Sequence, residues 1–381
     1  MRDAILNALV KAADRDEEMG GKLNQRVKNG NKKDVVTQGD IEIGDLITQH
    51  LLESIPRITV ESEEHGKQTN LLDGEEEKYY VAIDDIDGTN NLRVGKGFLA
   101  YCSMIVAFDG SKKTEDGYKY SDYSHAACLD YASGKIFYTE KGLGKVEVYD
   151  INLKKMGDSL ENVQDNSNLA ITLSTDLVST FRGGLLGYEE TKGGTPVPKI
   201  PTDLDLTFRE NAAVDSACSV YEYAMVGVGI RNGYVSAGKK QHELPMLYAF
   251  IKETGGEMVD FDGVPYDDKI YEFKAGNASV IAGNSKVVEK VKKSIDAQIQ
   301  SNKEEVKRRQ EYDELKAENE RLKIKNSELS KSLSEANSRM KKSIEFVEAV
   351  NKSPLGQLFF GKKIKTFEDD SKRISEGKDV R

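Results

Sequence analysis

Apolar residues recur with helical spacing over the first residues of the chain and again in a stretch that begins near Asp45. We predict a packing helix at the amino terminus and a second helix over 45–52, because this spacing gives a helix one face that can be buried. The second helix leads into a short β-branched run, 58–60, that favours a strand. The stripe of the first helix consists of Ala4, Ile5, Ala8, Leu9, Ala12 and Ala13.

Shorter apolar runs, bounded by turn residues, fill the middle of the chain. Segments rich in Lys, Asp, Gly and Pro predict surface loops over 109–124 and 186–204. A buried helix is predicted over 215–229, before a strand at Tyr234. This order favours an α+β fold in which sheets and helices form layers. The other predicted strands, of a mainly antiparallel sheet, are 99–107, 127–131 and 135–138.

A heptad pattern marks the carboxy-terminal part of the chain, which is rich in Lys, Glu, Arg, Ser and Asn over 302–350. Leucine recurs every seven residues, as at the d positions of a coiled coil. Asn occupies two a positions, where it lowers stability but favours two strands in fixed register. We therefore predict a coiled coil over 294–350 that forms a parallel homodimer. The seam consists of Tyr312, Leu315, Asn319, Leu322, Asn326, Leu329, Leu333, Ala336 and Met340.

A single charged, solvated helix is the alternative interpretation of this segment, because the seam is short and polar residues interrupt it. A charged tail, 351–381, follows and carries a short apolar motif at 355–360. The motif is typical of a docking segment or of a segment that folds back on the preceding domain. The predicted organisation is therefore one domain over 1–293, the helical segment and the tail.

Composition narrows the classes of function. The formal net charge of −10 lacks the basic footprint of a nucleic-acid-binding protein. No stretch approaches the ~20 apolar residues of a transmembrane helix. The first residues do not combine a basic segment with an apolar core, so we expect no secretory signal. We predict a cytoplasmic protein with neither a nucleic-acid nor a membrane partner.

The cysteines and histidines do not indicate a metal site of their own. Cys102, Cys128 and Cys218 lie far apart and form no C-x-x-C pair, which favours reduced structural thiols. Four scattered histidines disfavour zinc ligation. His65 and His242 flank acidic segments. We interpret them as packing or surface residues, with contact to a substrate as the alternative.

Three aspartates, Asp84, Asp85 and Asp87, follow one short apolar run. Like charges at this spacing repel one another unless a cation neutralises them or a pKa rises. Mg2+ takes oxygen ligands and is commonly held by one or two carboxylates and a phosphate. Gly88 allows a sharp exit, and Thr89 favours a helix start whose free N–H groups suit an anion. The alternative is an ordinary solvated Asp-Gly turn.

A second acidic cluster supports the metal interpretation. Residues 61–64, Glu-Ser-Glu-Glu, end the strand predicted at 58–60. If the two strands run in the same direction, their carboxyl ends deliver the acidic residues to one edge of a sheet. The sequence therefore predicts a metal and phosphate site at that edge.

Five segments of the chain carry a family resemblance. They are Val36-Thr37-x-x-Asp40, Ser62-Glu63-Glu64, Asp84-x-Ile86-Asp87-Gly88-Thr89-x-Asn91, His242-Glu243-Leu244-Pro245 and Glu253-Thr254-Gly255-Gly256. These segments resemble the motifs of the inositol monophosphatase superfamily of Mg2+-dependent sugar phosphatases. That superfamily includes fructose-1,6-bisphosphatases and 3′-phosphoadenosine-5′-phosphate phosphatases. The resemblance covers about residues 1–293 and implies an α-β-α-β-α sandwich with the metal site between its halves.

The resemblance also implies a reaction, the metal-assisted hydrolysis of a phosphate monoester with two or three Mg2+ ions per site. Thr89, oriented by Asp40, would position or deprotonate the attacking water near Glu63. One ion would be held by Glu63, Asp84 and the Ile86 carbonyl. A second ion would be held by Asp84, Asp87 and Glu243.

The substrate would be a small phosphorylated metabolite. Backbone N–H groups of Gly88 and Thr89 would hold its phosphate, and Asp87 would lie beside it. Ser236 stands where inositol-specific members have a glutamate that contacts the ring, which weakens an inositol assignment. Four basic residues could meet a second phosphate, so a bisphosphorylated sugar or nucleotide is favoured. They are Lys239, Lys240, Arg209 and Arg231.

Two residues depart from the family pattern. Asp85 stands where the family usually has Pro, and we interpret it as a bystander that points to solvent. Glu243 stands where the family usually has Asp, and its longer side chain would shift or weaken the second ion. These departures leave an alternative function, a catalytically weakened scaffold that acts through its coiled coil.

Overall fold

The computed structural model describes residues 1–20, 25, 36–94, 99–159, 171–173, 213–214, 218–273, 276–355 and 372. The chain divides into two compact units, Met1–Ser301 and Asn302–Arg381. The division expected from the sequence, at 293 and 350, stays a prediction.

Two helices precede the first strand, as predicted. The first, α1, spans Arg2–Met19, and the second, α2, spans Gln38–Ser54. The start of α2 lies before the predicted start because Thr37 and Asp40 form a capping box. The Thr37 N–H and hydroxyl both donate to Asp40 Oδ2, at 2.7 and 2.6 Å. The Thr-x-x-Asp motif therefore determines where this helix begins.

Strands make up most of the rest of the first unit. They are β1 (Ile58–Ser62), β2 (Gly66–Thr69), β3 (Tyr79–Asp87), β4 (Cys102–Asp109), β5 (Tyr118–Lys119), β6 (Tyr123–Asp130), β7 (Lys135–Glu140), β8 (Glu147–Asp150), β9 (Lys155–Asp158), β10 (Ile171–Leu173), β11 (Ala213–Val214), β12 (Gly233–Lys240), β13 (Glu257–Val259), β14 (Ile270–Tyr271) and β15 (Asn277–Gly283).

The strands form two large sheets. The first has eight strands in the order β2-β1-β3-β4-β6-β7-β8-β9, and the second has five in the order β11-β10-β12-β15-β13. Within the first sheet all neighbours run antiparallel except β1 and β3, which run parallel. The short strands β5 and β14 pair with each other. The mainly antiparallel sheet predicted from the sequence is confirmed.

The described residues contain four further α-helices. They are α3 (Thr89–Val94), α4 (Ser219–Gly227), α5 (Leu244–Glu253) and α6 (Ser285–Lys352). The helix predicted over 215–229 is observed as α4. Residues 215–217 and the predicted loop 186–204 lie outside the described residues.

Apolar clusters cover both faces of the first sheet. On one face α1 and α2 pack against the strands, and Ile5, Ile47 and Val81 share a buried cluster. The opposite face packs with α4, α5 and the second sheet through a cluster that includes Tyr80 and Leu247. Successive residues of β3 point to opposite faces, so Tyr80 and Val81 enter different clusters. The predicted layered α+β sandwich is confirmed.

The segment predicted as a surface loop, 109–124, is partly buried. Tyr118 lies in β5, Tyr120 begins a short 3-10 helix, and both side chains are buried. The Tyr118 ring stacks on Tyr80 with the ring centroids 5.3 Å apart. Aromatic packing therefore holds this segment on the sheet, which the abundance of charged residues around it concealed. The side chains of all three cysteines are buried.

The long helix α6 confirms that the heptad segment is helical. Its first turns belong to the first unit, where Val287 and Val291 are buried. No described helix combines the length and apolar character needed to cross a membrane. The coiled coil itself stays a prediction, and residues 356–360 of the apolar motif lie outside the described residues. The exposed seam residues are Tyr312, Leu315, Leu322, Leu329, Leu333 and Met340.

Glu253, at the end of α5, fastens this helix to the turn between β7 and β8. Its carboxylate accepts hydrogen bonds from the backbone N–H groups of Gly142 and Gly144, at 2.9 and 2.7 Å. It also accepts one from the Tyr123 hydroxyl. Hydrogen bonds to a charged acceptor are stronger than neutral ones, so this buried carboxylate joins the two layers.

We expect Glu253→Ala to lower the free energy of unfolding by about 2–4 kcal/mol, because the buried Tyr123 hydroxyl and two backbone N–H groups lose their charged acceptor. Urea unfolding followed by circular dichroism measures the change. The control is Glu257→Ala, an exposed glutamate at the start of β13, which should change stability by less than about 0.5 kcal/mol. Equal losses in the two variants would contradict the assigned role.

Candidate metal and phosphate site

The parallel pairing of β1 with β3 brings the two acidic clusters together. Ser62 at the end of β1 lies opposite Ile83 of β3. Glu63 and Asp84, the next residues of the two strands, therefore reach the same edge of the sheet. The prediction that both strands run in the same direction is confirmed.

A third segment completes the cluster from the second sheet. The end of β12 and a 3-10 turn, Gln241–Glu243, carry His242 and Glu243 to this edge. His242 Nε2 lies 3.4 Å from Glu63 Oε2, 3.8 Å from Asp84 Oδ2 and 3.9 Å from Glu243 Oε1. The arrangement encloses a cavity of about 110 Å3. Its lining residues are Asp40, Glu63, Glu64, Asp84, Asp85, Ile86, Asp87, Gly88, Thr89, Lys240 and Glu243.

The Asp84 carboxyl lies in an environment that disfavours its charged form. Burial raises the pKa of its carboxyl well above the ordinary value, and the nearby charges of Asp87, Glu243 and Glu63 raise it further. A carboxylate in such a setting gains stability from a cation, which relieves both the desolvation and the repulsion. Ligand atoms of Asp84, His242 and Glu243 lie within 4.8 Å of one another, and the Lys239 ammonium also pairs with Glu243.

Glu63 carries the opposite shift. Burial raises the pKa of its carboxyl, but His242 and Lys240 outweigh this effect and lower the pKa to about 2. The Lys240 ammonium lies 2.7 Å from Glu63 Oε1. Glu63 is therefore an anion at every physiological pH and is available as a ligand when the Lys240 ammonium moves away.

Thr89 and Asp40 lie together as the resemblance implied. The Thr89 hydroxyl oxygen is 3.1 Å from Asp40 Oδ1 and 3.1 Å from the Ile86 carbonyl oxygen. A hydroxyl has one proton, so it donates to one of these acceptors at a time. Burial raises the pKa of Asp40, although Thr37 and Thr89 stabilise its anion. The pair is thus placed to orient a hydroxyl or water at the cavity.

Asp87 and Gly88 turn the chain from β3 into α3. Asp87 Oδ2 accepts a hydrogen bond from the Val220 N–H at 2.7 Å, at the start of α4. Gly88 has a positive φ of 83°. A Cβ atom there would lie 3.1 Å from Cys218 Cβ and 3.2 Å from the Ala100 carbonyl oxygen. Glycine is therefore required at this turn for its backbone conformation and for the close approach.

Asp85 is a correction to the sequence interpretation, because it does not point to solvent. Its side chain is only 2% exposed. Asp85 Oδ2 accepts a hydrogen bond from the Ser62 hydroxyl at 2.6 Å and a longer one from the Glu64 N–H. Its other oxygen faces Gly44, where a Cβ atom would overlap it. Burial raises the pKa of Asp85 to about 8. Asp85 therefore ties the end of β1 to the end of β3.

Sequence reasoning undervalued two residues of the site. His242 lies among three carboxylates, and Lys239 pairs with Glu243. Their position beside Glu243 in the Lys-Lys-Gln-His-Glu run was the available signal. Ser236, which stands where inositol-specific members have a ring-contacting glutamate, is buried in β12, and its contact with substrate stays a prediction.

The donor set can be tested against Mg2+. The first position implied by the resemblance fits, because Glu63, Asp84 and the Ile86 carbonyl offer only oxygen atoms, the ligands that Mg2+ prefers. The second position fits less well, because the Lys239 ammonium lies 2.5 Å from Glu243 Oε2 and competes with an ion for this carboxylate.

Comparisons with known proteins agree with this architecture. Residues 3–102 match the model of the inositol monophosphatase family. The resemblance to that family is confirmed. The match contains β1, β3 and every residue of the first metal position. Comparison with curated proteins gives no match.

Solved structures share the fold over most of the first unit. The IMPase of Thermotoga maritima is 16% identical, with a TM-score of 0.54 over 78% of this chain and 96% of that one. The inositol monophosphatase of Anabaena is 17% identical, with a TM-score of 0.52 over 77% and 94%. An IMPase/NADP phosphatase complexed with Mg2+ and phosphate is 17% identical, with a TM-score of 0.51 over 76% and 91%. These identities show the fold, and the activity must be argued from the site.

The raised pKa of Asp85 predicts a pH-dependent stability for the metal-free protein. Between about pH 4 and pH 8 the folded state keeps a proton that the unfolded state has lost, so this carboxyl makes stability fall as pH rises. We expect Asp85→Asn to remove this contribution. Relative to the wild type, the variant should gain on the order of a few kcal/mol between pH 5 and pH 8.

Urea unfolding in EDTA at both pH values measures this gain. Asp73→Asn, which removes an exposed carboxylate, is the control and should show no such gain. A difference between Asp85→Asn and the wild type that stays constant with pH would contradict the assignment.

Proposed function

We propose that the chain is a Mg2+-dependent phosphatase that hydrolyses a monoester of a small phosphorylated metabolite. The observation that carries the proposal is the meeting of Glu63 and Asp84 with the Asp40–Thr89 pair in one cavity. The carboxylates of Glu63 and Asp84 are suitable ligands for a hard cation. The Asp40–Thr89 pair is placed to orient a nucleophilic water. The family match over residues 3–102 supports the same reading.

Glu63, Asp84 and the Ile86 carbonyl would hold a Mg2+ ion. When bound, the ion would lower the pKa of a water and neutralise charge on the phosphoryl oxygens. The desolvated Asp84 carboxylate gains most from this cation, since three neighbouring anions surround it. His242, which lies between Glu63 and Asp84, would order both carboxylates around the ion.

Thr89 and Asp40 would handle the attacking water. The Thr89 hydroxyl would accept a hydrogen bond from the water and relay its proton to Asp40, whose raised pKa makes it a better base than an exposed aspartate. The water oxygen forms a bond to phosphorus, the ester P–O bond breaks, and the leaving alcohol takes a proton from solvent. Backbone N–H groups of Gly88 and Thr89 at the start of α3 would bind the phosphoryl oxygens.

Lys240 favours a substrate with a second anionic group. Its side chain is 47% exposed at the cavity, and its ammonium pairs with Glu63. Ser236 stands in place of the ring-contacting glutamate of inositol-specific members and is buried. Arg231 Nε lies 3.8 Å from Glu222 Oε2. Arg209 lies outside the described residues. We therefore propose a bisphosphorylated sugar or nucleotide as the substrate class.

The scaffold alternative has no support in the structure. Its two arguments were Asp85 and Glu243, and both are buried at the cavity. Asp85 holds two strand ends together, and Glu243 keeps a carboxylate at the edge of the site. Neither residue removes a ligand from the first metal position.

We also propose that the heptad segment joins two copies of the chain in a parallel coiled coil. Its leucines are exposed along one seam of α6 in the single chain. A second copy would bury them against each other, and the seam asparagines would set the register.

Asp84→Asn should lower kcat/KM for phosphate release by more than about 100-fold, since loss of outer partners of a metal ligand alone costs about 10–100-fold. Phosphate release from a panel of inositol, sugar and nucleotide mono- and bisphosphates, with Mg2+ or with EDTA, measures the effect. Asp116→Asn, an exposed aspartate in the 109–124 segment, is the control and should retain full activity. The proposal fails if nothing in the panel is hydrolysed and Asp84→Asn leaves metal binding unchanged.

Truncation after Ile299 should convert a dimer into a monomer without abolishing turnover, as measured by light scattering and phosphate release. Leu322→Asp should weaken the dimer, because it places a charge in the seam. Ile324→Asp is the matched control, since Ile324 is an equally exposed apolar residue off the seam. An unchanged mass after truncation would refute the dimerising role.

A further inference from the structure

A β-bulge near the end of β12 turns Lys239 towards the site. Ser236 pairs with Val280 of β15, and Lys239 pairs with Ala278, so β12 has one residue more than its partner between these pairs. In a regular strand residues 236 and 239 would face opposite sides. The extra residue places Lys239 on the same side as Ser236 and sends its side chain inward.

Lys239 is held there by protein groups on two sides. Its ammonium forms an ion pair with Glu243 Oε2 at 2.5 Å and donates a hydrogen bond to the Ser219 hydroxyl. Its side chain is only 13% exposed. The Glu243 carboxylate thus gives this ammonium a counter-charge within the protein, and an adjacent opposite charge favours the charged form of a lysine.

The neighbouring Lys240 shows what is specific to Lys239. Lys240 reaches the same site from the other face of the strand, where it pairs with Glu63 and is 47% exposed. A strongly hydrated ammonium on a flexible stem can move away from its partner into solvent. Lys239 has no such freedom, because its charge is buried and its partner, Glu243, is buried as well.

These contacts fall on the second metal position that the resemblance implied. Of its three carboxylates, Glu243 is paired with Lys239. The longer Glu243 side chain, in place of the usual Asp, reaches the ammonium. A fixed ammonium provides the positive charge of a cation, but it has no empty orbital with which to coordinate a water and lower its pKa.

We propose that the Lys239 ammonium is a built-in cation that replaces the second metal ion, so that the chain binds one divalent ion where the family resemblance implies two or three. This inference rests on the proposed phosphatase site and narrows its metal requirement. The single ion occupies the position of Glu63, Asp84 and the Ile86 carbonyl. The positive charge opposite it comes from the protein and is present without metal.

Counting bound Mn2+ ions on the full chain, by calorimetric titration and by the electron paramagnetic resonance of free Mn2+, tests this inference without any substrate. The wild type should bind one ion per chain. Lys239→Met, which keeps the side-chain length and removes the charge, should bind two. Lys240→Met is the matched control for loss of one positive charge and should still bind one ion.

The Lys239→Arg variant keeps a positive charge at this position and should also bind one Mn2+ ion per chain. It provides a second test if Lys239→Met does not fold. Two ions on the wild type, or one ion on a folded Lys239→Met, would overturn the inference and leave the proposed function intact. No ion on the wild type would overturn both. If the wild type bound a single ion but hydrolysed no substrate, only the phosphatase proposal would be refuted.

Discussion

The parallel register between β1 and β3 is the constraint on which the site depends. It sets Ser62 opposite Ile83, so the residues that follow deliver Glu63 and Asp84 to one edge. The same register concentrates negative charge in a buried place, and this repulsion must be offset for the fold to hold. His242 and the two lysines of the β12 end lie within reach of these carboxylates. The site is therefore built from two sheets, one that supplies anions and one that supplies both a carboxylate and cations.

Short-range sequence patterns made much of the fold and of the site predictable. The stripe of α1, the Thr37–Asp40 cap and the turn at Gly88 are each encoded within a few neighbouring residues, and the two carboxylate clusters follow strands that short runs reveal. The start of α2 was misjudged only because the capping box was taken for a functional motif alone. The motif serves both purposes, since Asp40 holds the helix start with one oxygen and contacts Thr89 with the other.

The remaining features depend on contacts between distant segments, which a single sequence does not reveal. The burial of Asp85 follows from the absence of a side chain at Gly44, which lies in another element. The direction of Lys239 follows from one extra residue in β12, and alternation along the strand predicts the opposite side. His242 was judged by the scarcity of histidines, but its role follows from three carboxylates brought by two different strands and one turn.

The buried Asp85 ties together residues that would otherwise vary independently. One Asp85 oxygen contacts the Ser62 hydroxyl, and the other faces the space left by Gly44. The residues at these three positions therefore pack against one another. Exchange of Asp85 for the proline usual in the family would strand the Ser62 hydroxyl, and a larger residue at Gly44 would collide with the aspartate. Changes at these positions are therefore non-additive. A change in the size or shape of any one of these three residues therefore alters how well the other two pack, which couples this departure from the family pattern to its surroundings.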